Sequence, residues 1–107
     1  MAKLPKRFER FLKEFPEIAV AYENLGAAVH ESGPLDEKTR TLIKLALSIG
    51  ARMEGAVHAQ VRKALKAKIK KEEIRQVAIL AIPTIGFPAA MAALSWIDDL
   101  LDKKGGK

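Results

Sequence analysis

Cysteine is absent from the 107-residue chain. Its absence excludes disulfides, thiolate zinc and iron–sulfur sites, and any thiol redox cycle run by this chain alone. Histidine is scarce as well: only His30 and His58 are present, too few for a histidine-rich metal cage. Aromatic residues make up 6% of the chain, and Asn and Gln together contribute only Asn24, Gln60 and Gln76. A charged surface built from Lys and Glu with few amides is a balance often met in heat-adapted proteins. Met1 to Lys13 lacks the apolar core and small-residue cleavage site of a secretory signal, so a cytoplasmic location is expected.

Long uninterrupted hydrophobic runs are also missing. Val77 to Trp96 carries no charge, but Pro83, Gly86 and Pro88 cut it into pieces too short to cross a bilayer as a regular helix. The expected structure there is two buried helices joined by a corner, with no membrane partner.

What is present is a 49% hydrophobic, 30% charged sequence with net charge +6. The length fits one domain of about 100–150 residues, and the apolar fraction is too high for a disordered chain. The positive surplus gathers in Arg62, Lys63, Lys66, Lys68, Lys70 and Lys71. On a helix Arg62, Lys66 and Lys70 align beside an apolar row of Val57, Val61, Leu65 and Ile69. No aromatic residue is interleaved to stack on bases, so a solvated amphipathic flank is expected rather than a nucleic-acid interface.

Helical periodicity runs throughout. Phe8, Phe11, Leu12 and Phe15 mark a first helix after Pro5, and Ile18, Tyr22, Leu25 and Val29 a second from Pro16 to about His30. His30 is expected to be an exposed residue near that helix's end. Ser32, Gly33 and Pro34 form a break. A third helix starts at Asp36, a natural N-cap, with Leu42, Leu45, Ala46 and Ile49 turned inward. A fourth spans about Glu54 to Ala67, and a fifth runs from Lys71, with Glu72 and Glu73 in its first turn, to Pro83. A sixth runs from Pro88 to just before Lys103. The reading is an all-α, compact bundle of about six helices. It divides into an N-terminal helical segment at 1–33, a helical core at 34–103 and a short tail at 104–107, one domain overall.

The last two helices are apolar around most of their circumference, more than so short a chain can cover. Ala89, Ala90, Ala92 and Ala93 would admit a close neighbour, which favours a homo-oligomer joined through these helices over a monomer that tucks them inside. Trp96, Phe87, Met53 and Met91 fit a core or subunit interface, or the lining of a small-molecule pocket.

The run Pro34-Leu35-Asp36-Glu37-Lys38-Thr39-Arg40 with Leu42-Ile43 and Leu45-Ala46 resembles the helix that opens the carboxymuconolactone decarboxylase and alkylhydroperoxidase D-like family. The resemblance continues through Ala51-Arg52, Glu54-Gly55, Val61 to Leu65, Glu72-Glu73-Ile74 and Gly86 to Ala90, covering about Leu35 to Leu101. It implies an all-helical fold and assembly into trimers, hexamers or related oligomers. The family's redox branch carries a glutamate, eleven residues, then Cys-x-x-Cys-x-x-x-His. On this chain those four positions hold Thr41, Met53, Ala56 and Gln60. Met forms a sulfoxide but no disulfide, and Thr and Gln do not titrate near neutrality, so thiol peroxidase chemistry is excluded.

The decarboxylase branch more often relies on a histidine where Gln60 stands. His58 lies about 200° around the helix from Gln60 and does not replace it. Glu54 and His58 are i, i+4 neighbours able to hydrogen-bond, a carboxylate-oriented imidazole. Two functional expectations follow. The first is a non-redox homo-oligomeric protein, a trimer or hexamer, that binds a small ligand or a partner. The second is a cysteine-independent lyase or isomerase acting on a small carboxylated metabolite, with His58 as base, Glu54 orienting it, and Arg52 pairing the substrate carboxylate. Neither requires a cofactor or a metal.

Overall fold

The computed structural model describes residues 5–102, and the expected tail at 104–107 lies outside them. Among the described residues every regular element is helical: α1 (Lys6–Glu14), α2 (Pro16–His30), α3 (Glu37–Gly50), α4 (Glu54–Lys66), α5 (Lys71–Leu80), α6 (Ile82–Ile85) and α7 (Phe87–Leu101). Six of these match the periodic segments of the sequence. The four-residue α6 is the corner that Pro83 and Gly86 were expected to make. The chain forms two compact units, one ending at Leu35 and one beginning at Asp36.

In the first unit α1 packs against α2. Pro16 opens α2 with the fixed φ suited to a first helical turn, and the Phe11 and Phe15 rings sit 5.4 Å apart. No residue of either helix is buried. Phe8, Phe11, Phe15, Ile18, Val20, Tyr22, Leu25 and Val29 are all exposed, whereas His30, expected in solvent, is half-buried.

The second unit has a core. Asp36 takes an extended backbone and its Oδ1 accepts the Thr39 N–H at 2.9 Å, starting α3. Leu45 and Ile49 then face inward from α3, Val57, Val61 and Ala64 from α4, Ile74 and Ala78 from α5, and Ala90, Ala93, Ile97 and Leu101 from α7. Full burial of side chains such as Leu45, Ile74 and Ile97 contributes about 1.5–3 kcal/mol each.

Helices α3 and α4 end alike. The Arg52 N–H donates to Ile49 O and the Met53 N–H to Ser48 O, while Lys68 N–H and Ile69 N–H donate to Leu65 O and Ala64 O. These are Schellman endings, and they place Arg52 (φ 59°) and Lys68 (φ 63°) in the left-handed conformation usually held by glycine. Ile69, buried beyond the second ending, supplies the apolar contact that accompanies it.

Two expectations change here. α4 stops at Lys66, so Lys70 does not extend a basic row from Arg62 but precedes α5, where its N–H donates to Glu73 Oε1. The alanines of the last helix do admit a close neighbour, but from the same unit: Ala90 and Ala93 are fully buried in the core to which α4 and α5 contribute.

Candidate functional site

α3 and α4 pack against each other and carry the four substituted motif positions. Thr41 lies in the second turn of α3, where its hydroxyl donates to Glu37 O at 2.8 Å and is committed to its own helix. Met53 is the residue before α4 and is exposed; Ala56 and Gln60 are half-buried on α4. One turn beyond Thr41 on α3 stands Lys44. Burial, and then repulsion from Lys63 on α4 and Arg40 on α3, hold its ammonium below the ordinary lysine range. Cations of this kind would favour a thiolate, but the chain has no cysteine to supply one.

His58 points elsewhere. Its Nε2 lies 3.3 Å from Asp99 Oδ2 on α7 and 4.0 Å from Glu54 Oε2. The expected Glu54 partnership is thus the longer contact, and Asp99 is the nearer carboxylate. Sequence spacing favours neighbours along one helix and carries no signal for a residue reached across a helix–helix contact. Arg52 is exposed, with its backbone committed to the end of α3. The lyase arrangement needs His58 to face a pocket near Gln60 and Arg52; in the structure its Nε2 meets Asp99 of α7.

A concave site does exist in this unit. A groove of about 550 Å³ runs between α3 and the α5–α6 corner. Its walls are mainly apolar, with Leu42, Ile43 and Ala46 from α3 facing Val77, Leu80 and Ile85. Thr39, Gln76, Thr84 and Glu73 supply the polar groups. Glu73 is already engaged, since Lys38 Nζ lies 2.6 Å from its Oε2; this contact and the Lys70 N–H hold its carboxyl below the usual range. Of the lining, Ile43 and Leu80 are exposed by 42 and 61%, and Leu47 on α3 and Ile79 on α5 by 67 and 45%. None of Trp96, Phe87, Met53 and Met91 lines it. Ile79 and Leu80 sit within the apolar run of the fifth helix, but the contribution of α3 could not be read from a stripe shared with the core.

The chain belongs to the carboxymuconolactone decarboxylase family, whose model matches residues 16–99 and so takes in α2 as well as the stretch from Leu35. It is similar to the crystal structure of an apo carboxymuconolactone decarboxylase family protein from Legionella pneumophila, with a TM-score of 0.75 and 26% identity over 90% of this chain and 86% of that one. It is also 41% identical over 59 residues to an uncharacterized protein of Haemophilus influenzae. That match covers 55% of this chain and 52% of the relative, about half the length of the curated relative. No described helix is long and apolar enough to cross a membrane.

Proposed function

We propose that this chain is a non-redox, ligand-binding member of its family that works as a homo-oligomer of three or six copies. Copies would associate through the α3–α5 face and close the groove between α3 and the α5–α6 corner into a small-molecule site. The observation that carries this reading is the groove itself: about 550 Å³, mainly apolar, with Ile43 and Leu80 of its lining exposed, and Leu47 and Ile79 exposed on the same two helices. Contiguous apolar surface of this kind marks association or ligand binding, and pockets for small molecules are concave and mostly apolar. The exposed apolar residues of α1 and α2 add to the surface that association would cover. The absence of cysteine removes the thiol chemistry while leaving the helical scaffold intact.

Native mass spectrometry with an amphiphilic fluorescent probe, anilinonaphthalene sulfonate, whose aromatic rings seek apolar sites, tests both halves of the reading. The chain is expected to run as a trimer or hexamer that takes up the probe stoichiometrically. Ala46→Phe, which fills the groove from α3, should lose the probe. Probe uptake unchanged by Ala46→Phe, or by a monomer, contradicts the reading.

A further inference from the structure

We propose that Glu54, His58 and Asp99 form a binding site for a divalent first-row transition-metal ion, with Zn²⁺ the expected occupant. The proposal is independent of the ligand-binding reading, because these residues lie outside the groove lining. Glu54 and His58 are one helical turn apart on α4, and Asp99 faces them from α7. One donor atom from each, two carboxylate oxygens and the imidazole Nε2, falls within 4.8 Å of the other two.

The donor set is what distinguishes this group from a chance meeting of acids. Imidazole nitrogen with carboxylate oxygen is a combination that first-row divalent ions bind, and Zn²⁺ takes both at about 2.0–2.2 Å. Around a tetrahedral ion such ligands stand about 3.4 Å apart. His58 Nε2 and Asp99 Oδ2 are already 3.3 Å apart, and Glu54 Oε2 is 4.0 Å from Nε2. Glu54 and Asp99 side chains are each 55% exposed, so a rotamer adjustment can close the remainder, while His58, only 24% exposed, is held in place.

Charge points the same way. Among the described residues Glu54 and Asp99 form no ion pair with lysine or arginine, although the chain carries a net +6. The neighbouring Asp98, by contrast, is taken by Arg75. With the imidazole acting as a ligand through its nitrogen lone pair, the two carboxylates carry two negative charges, which one divalent cation neutralises. Three protein ligands leave further coordination positions to water, as in open zinc sites. The site joins α4 to α7 and uses none of Thr41, Met53, Ala56 and Gln60.

The test is a Co²⁺ titration of the untagged, chelator-treated chain, followed by visible d–d absorption and then by displacement with Zn²⁺. One Co²⁺ per chain is expected, with colour bleached by stoichiometric Zn²⁺. His58→Gln, Asp99→Asn and Glu54→Gln should each weaken binding at least about tenfold, since even outer-shell partners of metal ligands matter on that scale. His30→Gln should bind as the parent does. Far-UV circular dichroism on each variant separates lost ligation from lost fold, and the three near-isosteric substitutions provide independent readings. No Co²⁺ uptake at millimolar concentration, or uptake unaffected by His58→Gln and Asp99→Asn, overturns the proposal.

Discussion

Arg75 on α5 forks onto Asp98 on α7, Nε to Oδ1 at 2.9 Å and Nη2 to Oδ2 at 3.1 Å. The next residue, Asp99, meets His58 on α4 at 3.3 Å. Successive helical residues point about 100° apart, so one pair of aspartates reaches two different helices from beside the buried Ile97 and Leu101. Lys71 Nζ adds a third tie, donating to Leu101 O at 3.3 Å where α7 leaves its last carbonyls unpaired.

The fork makes the first prediction. Arg75→Lys keeps the charge and loses the bidentate geometry, so it should lower the melting temperature almost as far as Arg75→Ala does. Differential scanning calorimetry of both variants decides it. Full retention by Arg75→Lys would mean that the contact acts as a bare charge pair.

The core makes the second. Leu45→Ala should cost about 2–5 kcal/mol and Ile97→Val about 0.5–1.5 kcal/mol in urea unfolding, because both side chains are fully buried. A Leu45→Ala change near zero would place the core elsewhere.

Backbone conformation makes the third. Gly86 has φ 102° and ψ 152°, a region open essentially to glycine alone. A Cβ there would meet nothing closer than Pro88 Cδ at 4.0 Å, so strain rather than crowding sets the cost of Gly86→Ala, about 1–3 kcal/mol. Arg52→Gly and Lys68→Gly should act in the opposite sense, each stabilising by about 0.5–1 kcal/mol through relief of the left-handed backbone. Chemical denaturation of the three variants gives the signs.

How much of this was legible follows from where each signal resides. The N-cap at Asp36, the prolines opening α2 and α7 and the Leu45–Ile49 stripe are local, so pattern alone located them. The ends of α3 and α4 were less visible, because Arg52 and Lys68 occupy places where glycine would have announced a stop. The Asp99 contact and the α3 wall of the groove depend on which helices become neighbours. No spacing within one helix encodes that. The Glu54–His58 contact along α4 was legible and stands at 4.0 Å, but i, i+4 spacing gave no sign of the nearer Asp99 on α7.

Acid should weaken the fold through two carboxyls, the fourth prediction. Hydrogen bonding from Thr39 holds Asp36 below its ordinary value of 3.8, and hydrogen bonding from Lys38 holds Glu73 below 4.5. Each binds its proton less tightly folded than unfolded, so its stabilising contribution is complete above those ordinary values and is lost as pH falls through the folded ones. Urea midpoints measured from neutral to strongly acid pH should fall in that window, and less steeply in Asp36→Asn and Glu73→Gln. Equal slopes in parent and variants would assign the acid sensitivity to other groups.

The association claim is tested most directly by sedimentation equilibrium on the purified chain beside Leu80→Asp, which puts a charge on the exposed rim of the groove. The parent is expected at three or six times the 11.7 kDa chain mass, and the variant at a lower multiple with its helical content intact. A parent that sediments as a single 11.7 kDa chain across the concentration range would contradict the account.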